Sequence, residues 1–184
     1  MDVIDLFPRK IIRSFTSIDE LNEINKELNY NLEGIKKLLL PYTFGDNITT
    51  TYNSCNCLFE KFNLSYIKAY IEKHINHYMT LYPNLKNVKI KNTSSWINYS
   101  YPGSFQSNHI HGFNSISGVL YLQTTGEDGN IYFSPGFMEE TLLGLVDIKP
   151  VAGLMLVFHS TLPHGVRANL SKNLRVSLSF NFTY

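Results

Sequence analysis

The chain has 184 residues, 16 Lys and Arg against 15 Asp and Glu, and a formal net charge of +1, with 43% of residues hydrophobic. That composition supplies a sizeable core and excludes disorder, and the length fits one domain spanning residues 1–184. Without a basic stripe or basic tail, nothing calls for nucleic acid or an anionic membrane as a partner. The start, MDVIDLFPRK, lacks a basic segment followed by an apolar one. No run of about 18 apolar residues occurs. A cytoplasmic protein without a membrane span is therefore expected. Cys55 and Cys57 form C-x-C, too close for an ordinary disulfide and without the C-x-x-C spacing of redox or zinc motifs, so free thiols are expected.

The first half reads helical, from about residue 1 to 86. KIIRSF, Lys10 to Phe15, reads as a short strand. Ser17 stands three residues before Glu20, the spacing of a capping box. Ile18, Leu21, Ile24 and Leu28 then recur at helical spacing and predict one apolar face. Gly34 weakens that helix, and Pro41 after Leu38-Leu39-Leu40 is a plausible stop. YTFGDNITTTYNS, residues 42–54, reads as loop. A second helix is expected from about Cys57 to Leu81, with Leu58, Phe62, Ile67, Ile71, Ile75 and Tyr78 as its apolar stripe. His74 and His77 lie one turn apart and could share a metal, but no third ligand is evident beside them, and surface histidines are expected.

The second half, about residues 87–184, reads β. The 12 Tyr and 12 Phe favour strands generally. NVKIKNTSSWINYSY alternates around Val88, Ile90, Trp96 and Tyr99. ISGVLYLQT is apolar, and EDGN is a turn before IYFS. GLMLVFHS reads as a buried strand after the Pro150–Gly153 turn. LRVSLSFNFTY puts Val176, Leu178, Phe180 and Phe182 on one side and Arg175, Ser177, Ser179 and Asn181 on the other. Roughly six to eight short strands with turns between them predict a jelly-roll sandwich.

The candidate chemistry lies in this half. His109 and His111 stand at i and i+2, so on a strand both imidazoles share a face and can reach one ion. Taken alone, the spacing equally fits two solvated imidazoles. His164 follows the strand that ends near Phe158, where the bland reading is a turn histidine after Pro163. Arg175 opens the last strand, with Ser177 two residues on. A guanidinium pointing into a small barrel asks for an anion, and Ser177 could add a hydroxyl to the same oxygens; the alternative is an outward arginine paired with a surface acid. Three imidazoles from two segments can occupy one face of an octahedron and leave the other for substrate and O2. The usual version uses two His and one carboxylate. Here His111 stands where the acid should be, and Asp128 or Glu127 in the EDGN turn rank below it as alternative ligands.

From about Ser95 to Asn181 the chain resembles the 2-oxoglutarate/Fe(II)-dependent oxygenases. It looks most like a branch of small phage and bacterial members in which H-x-H is the normal form. SWINYSYPG, HIHGFNSISGVLYL, GNIYFSPG, PVAGLMLVFHSTLPHGV and LRVSLSFN carry the resemblance in that order, and the opening IDLFPRKI also fits. The resemblance implies a mainly β fold with N-terminal helices, a double-stranded β-helix (jelly roll, cupin-like) with the helices packed on one outer face. It implies Fe(II) held by His109, His111 and His164. Arg175 would bind the distal carboxylate of the cosubstrate 2-oxoglutarate, with Ser177 and Tyr121 beside it and Asn98 as a weaker candidate. The implied activity is a dioxygenase that uses O2 to hydroxylate an unidentified substrate, releasing succinate and CO2. His111 leaves the iron site one charge unit more positive than the usual acid. It fills the position that halogenases of this superfamily leave open, which argues against halogenation. Phe133 and Phe158 either line the site or are plain core. Specificity is expected in YTFGDNITTTYNS and YPGSFQSN, and the aromatic-rich helices leave a homodimer open. Two other readings stand beside this one. They are a three-histidine cupin-type dioxygenase without 2-oxoglutarate, and a non-enzymatic jelly-roll binding module.

Overall fold

The computed structural model describes residues 9–43, 45–85, 87–136 and 144–184; the opening IDLFPRKI therefore lies outside the described residues up to Pro8. Strand β1 (Ile11–Phe15) leads into helix α1 (Ile18–Tyr30). The expected capping box is present: the Glu20 amide donates to Ser17 Oγ, and the Ser17 amide donates to the Glu20 carboxylate. Ile24 and Leu28 are buried, but Ile18 is 81% exposed, so the apolar face begins later than its spacing predicts. A short helix α2 (Leu32–Lys36) follows.

The expected second helix is two helices, α3 (Leu58–Lys61) and α4 (Ser65–Thr80). Asn63 adopts a left-handed φ of 49°, which breaks the helical ladder between them. The restart is stabilised from outside its own segment. Glu27 of α1 accepts the Tyr66 and Ile67 amides at 3.1 and 3.0 Å, satisfying donors that the helix start leaves unpaired. His74 Nδ1 donates to the Tyr70 carbonyl at 2.9 Å, and its Nε2 lies 3.1 Å from Ser14 Oγ; among the described residues His74 and His77 belong to no cluster of three candidate metal ligands. Cys55 and Cys57 are free thiols.

The strands form one curled, ten-stranded antiparallel sheet. After β2 (Leu40–Pro41) and β3 (Gly45–Thr50) come β4 (Lys91–His109), β5 (Ser115–Gln123), β6 (Ile131–Phe133), β7 (Val146–Ile148), β8 (Leu154–His159), β9 (His164–Val166) and β10 (Arg175–Thr183). The order across the sheet is β1-β8-β5-β10-β4-β9-β6-β7. β4 joins two layers. One of its edges pairs first with β10, over Lys91–Ser100, and then with β9, over Gln106–His109. Its other edge pairs with β3. The result is the double-stranded β-helix.

Two readings of the polar stretches are corrected here. YTFGDNITTTYNS, read as loop, contains strand β3: Ile48, Thr49 and Thr50 pair with Ser100, Tyr99 and Asn98. YPGSFQSN lies inside β4 rather than in a loop. Its Pro-Gly pair is accommodated by a positive φ of 82° at Gly103 and by register shifts nearby. Neither stretch alternates apolar and polar residues over its length: several of the positions they bury are Thr or Ser, such as Thr50, Thr51 and Ser104.

Alternation elsewhere sorts side chains into two cores. Ile97, Ile116, Leu120, Met155, Val157, Leu178, Phe180 and Phe182 pack outward on the helices, against Ile24, Leu58, Ile67, Ile71 and Ile75. Val119, Tyr121, Leu154, Leu156, Phe158, Ile131 and Phe133 face inward. The polar side of β10 faces inward too, with Arg175 and Ser177 buried and Ser179 and Asn181 half-buried.

Candidate metal and cosubstrate site

His109 is the last residue of β4 and stands opposite His164, the first of β9. His111 lies two residues beyond the strand end, so alternation along β4 does not place it. It is placed by its own amide, which donates to the Ser160 carbonyl at 2.8 Å. Ser160 is completely buried, and its hydroxyl is the end of a chain. Asn181 donates to Ser94 Oγ at 2.8 Å and accepts from Ser117 Oγ at 2.6 Å, and Ser117 lies 2.7 Å from Ser160 Oγ. The polar residues of β10 thus reach the segment that carries His111.

The three rings converge. Their centroids are 4.4 to 5.1 Å apart, and one ligand nitrogen from each lies within 4.8 Å of the others. His109 Nδ1 bonds the Ser107 carbonyl at 2.7 Å, and His164 Nδ1 bonds the Leu162 carbonyl at 2.8 Å. A carbonyl only accepts, so each Nδ1 carries the proton and each Nε2 keeps its lone pair. Burial, reinforced between neighbouring rings, holds the imidazoles below the ordinary histidine range, His111 down to about 4. Unprotonated nitrogens are what a metal needs. Neither turn acid joins them. Asp128 accepts from Thr124 Oγ1 and the Thr125 amide, and Glu127 pairs with Lys149.

Beside the triad lies a cavity lined by Asn98, Ser100, Tyr121, Arg175, Ser177 and Phe158, together with all three histidines. Strand register explains its polar wall. Ser177 is paired with Asn98 on one side and Tyr121 on the other. The three form one row across β4, β10 and β5, and all are buried. Arg175 stands two residues along the same face, 3% exposed. Its Nη1 donates to the Asp128 and Gly129 carbonyls at 2.5 and 2.9 Å. Its remaining donors bond nothing among the described residues. Burial raises the Tyr121 hydroxyl to about 12, so it stays a protonated donor. Asn98 Oδ1 is buried with no hydrogen-bond partner. Phe158 and Phe133 belong to the inner core, and Phe158 also stands edge-on to His164, with centroids 4.7 Å apart. Phe158 is therefore both core and cavity wall.

On the other side of the triad a wider cavity of about 660 Å3 opens outward, lined by Tyr42, Tyr52, Trp96, Phe105 and Ile110 with His109 and His111. Trp96 stands edge-on to both Tyr52 and His111, at 5.0 and 6.2 Å. Tyr42 and Tyr52 lie in YTFGDNITTTYNS, and Phe105 lies in YPGSFQSN, the two stretches in which the sequence places specificity.

Comparison with known proteins bears on the family and the fold. Residues 94–181 match the family model described as "Putative 2OG-Fe(II) oxygenase". No curated protein matches the chain. Among solved structures, the fold is similar to the non-heme alpha ketoglutarate dependent epimerase SnoN from nogalamycin biosynthesis, with 14% identity, TM-score 0.68, and 94% of this chain and 77% of that one covered. It is also similar to a prolyl hydroxylase from Trichoplax adhaerens, with 16% identity, TM-score 0.67, and 95% and 83% covered. HygX from Streptomyces hygroscopicus, solved with nickel, 2-oxoglutarate and hygromycin B bound, has 13% identity and TM-score 0.59, with 95% and 82% covered. At such identities the likeness is one of fold.

Proposed function

We propose that this chain, whose residues 94–181 belong to the 2-oxoglutarate/Fe(II) oxygenases, holds Fe(II) on His109, His111 and His164 and anchors 2-oxoglutarate on Arg175. The residues fit both groups. Three imidazoles offer unprotonated nitrogens to one point, and the donor set beyond them is built for a carboxylate. The observation that carries the reading is the buried row Asn98–Ser177–Tyr121 with Arg175 on the same face, opening on the cavity that the histidines share. A buried guanidinium with unused donors costs stability unless an anion meets it.

Bound Fe(II) and 2-oxoglutarate supply activation of O2, with 2-oxoglutarate converted to succinate and CO2. The chain's residues bind, orient and exclude water. Arg175 gives the distal carboxylate a charge-assisted fork through the donors left free by its Nη1 contacts. Ser177 and Tyr121 add hydroxyls. A half-turn of the Asn98 amide lets its oxygen accept from Ser179 and offers its NH2 to the cavity. Val119, Ile131 and Phe158 keep the inner chamber dry. The substrate enters by the outer aromatic cavity and meets the metal beside His109 and His111. Hydroxylation is the reaction proposed, on a substrate with an apolar or aromatic body that suits Tyr42, Tyr52, Trp96 and Phe105.

The test is anaerobic loading with Fe(II) and 2-oxoglutarate, followed by O2 and measurement of succinate. Uncoupled succinate formation is expected, and Arg175→Ala should weaken 2-oxoglutarate binding at least about tenfold. O2 consumption that ignores 2-oxoglutarate points instead to a three-histidine dioxygenase. No metal bound and no succinate formed leaves a binding module.

A further inference from the structure

Asp128 is the one buried acid among the described residues. It is completely buried, yet it is not a ligand of the triad and its carboxylate does not touch Arg175. Its oxygens are used within its own turn: Thr124 Oγ1 donates at 2.5 Å, the Thr125 amide at 2.8 Å and Thr125 Oγ1 at 3.4 Å. The turn is closed further by the Gly126 amide on Thr124 Oγ1 at 2.9 Å. On its far side Gly129 has a φ of 96°, and a Cβ there would lie 2.2 Å from the Arg167 carbonyl. The turn is therefore pinned at both ends, against its own threonines and against the chain leaving β9.

What this turn presents is two consecutive carbonyls, of Asp128 and Gly129, both accepting from Arg175 Nη1. An arginine side chain has four soft torsions, and a buried one with a single contact has no defined fork direction. Two carbonyls on one nitrogen set it. Burial disfavours the charged guanidinium, while the Tyr121 hydroxyl and the Asp128 carboxylate act in the opposite direction. The Asp128 charge thus balances Arg175 when no cosubstrate is present, from a distance that leaves the remaining guanidinium donors free.

We propose that Asp128 is a positioning residue for the cosubstrate: by shaping the turn that grips Arg175 it sets where the guanidinium stands, and hence the length of 2-oxo diacid the site accepts. This rests on the reading of Arg175 as the cosubstrate anchor. A 2-oxo diacid is held at both ends, by the metal and by Arg175, so a fixed arginine acts as a stop that selects chain length. A loosened arginine still supplies charge but no longer discriminates.

The experiment uses the full chain loaded with Ni(II), so that binding is read without turnover. Titration calorimetry with 2-oxoglutarate, the shorter oxaloacetate and the longer 2-oxoadipate gives three dissociation constants. The wild-type chain should prefer 2-oxoglutarate. Asp128→Ala and the near-isosteric Asp128→Asn should weaken 2-oxoglutarate about tenfold or more, the effect typical of supporting residues, and should narrow the gap between the three acids. Ni(II) affinity should stay unchanged. Thr124→Val, which removes a donor to the same carboxylate, should narrow the gap in the same direction. Should Asp128→Ala fail to fold, Asp128→Asn and Thr124→Val decide. A folded Asp128→Asn protein with wild-type affinity and wild-type discrimination overturns the assignment and leaves Arg175 as anchor. If the wild-type chain binds none of the three acids, the function reading fails, and this inference falls with it.

Discussion

On the proposed ligand set, His111 decides the charge of the site. Three neutral imidazoles would leave Fe(II) at +2, which a 2-oxoglutarate dianion would neutralise; an acid in that position would leave the complex at −1. Among the described residues the ring of His111 has no hydrogen bond, so its orientation depends on its backbone, on Trp96 and on the other two rings. His111→Ala should therefore lower Fe(II) or Ni(II) affinity at least about tenfold, measured by calorimetry. His111→Asp, which supplies the commoner ligand, should retain metal; unchanged metal content in His111→Ala would remove this residue from the ligand set. At Arg175 the discriminating substitution is lysine. Lys keeps the charge but not the planar fork, and it cannot satisfy two turn carbonyls and a carboxylate together. Arg175→Lys should still lose at least about 1.4 kcal/mol of 2-oxoglutarate binding, a tenfold rise in Kd. The histidines and Arg175 were legible in the sequence from their residue types and order. The Ser160 carbonyl that places His111 was not, because a backbone acceptor leaves no mark in residue identity.

β10 carries both halves of the design. Its apolar side completes the helix-facing core, and its polar side, which alternation alone would send to solvent, lines the chamber. Gly118 of β5 shows how tightly the outer side is filled. Opposite Phe180 in the register, a Cβ at Gly118 would lie 2.3 Å from the Phe180 ring and 2.5 Å from the Leu156 carbonyl. Gly118→Ala should destabilise the protein by about 1–3 kcal/mol, read as a shift in urea midpoint at constant slope. The helices have a comparable point of dependence. Glu27 caps α4 from α1, and Glu27→Ala should cost about 1 kcal/mol, the usual loss for a cap; an unchanged urea midpoint would show the cap to be idle. That link explains why the helix break near Asn63 was not legible in the spacing of apolar residues. The partner that makes the second start favourable lies far back in the chain. β3 escaped for a related reason: its strand character comes from pairing with β4, not from its own pattern.

At the scale of the whole molecule, the two ligands should act on stability through one site. Ni(II) and 2-oxoglutarate each supplied at 100 times Kd should contribute about 2.7 kcal/mol, or roughly 5–10 °C in Tm for a chain of this size. A chelator should reverse both increments, whereas Arg175→Ala should keep the metal increment and lose the other. A 2-oxoglutarate increment that survives chelation would separate the cosubstrate cavity from the triad. Among the described residues no helix is long and apolar enough to cross a membrane. The sequence by itself determined the β-rich class and the residue types able to hold a metal and a diacid. These are local properties, written in period-2 alternation and in the order of a few side chains. Only the tertiary structure decided that the polar face of β10 points inward, that His111 is held from Ser160, that the Asp128 carboxylate is bound within its own turn and not among the triad, and that an aromatic cavity opens beyond the triad. Each of these depends on which strand lies beside which, and the curl of the sheet through β4 is set by the sum of many pairings that no single segment encodes.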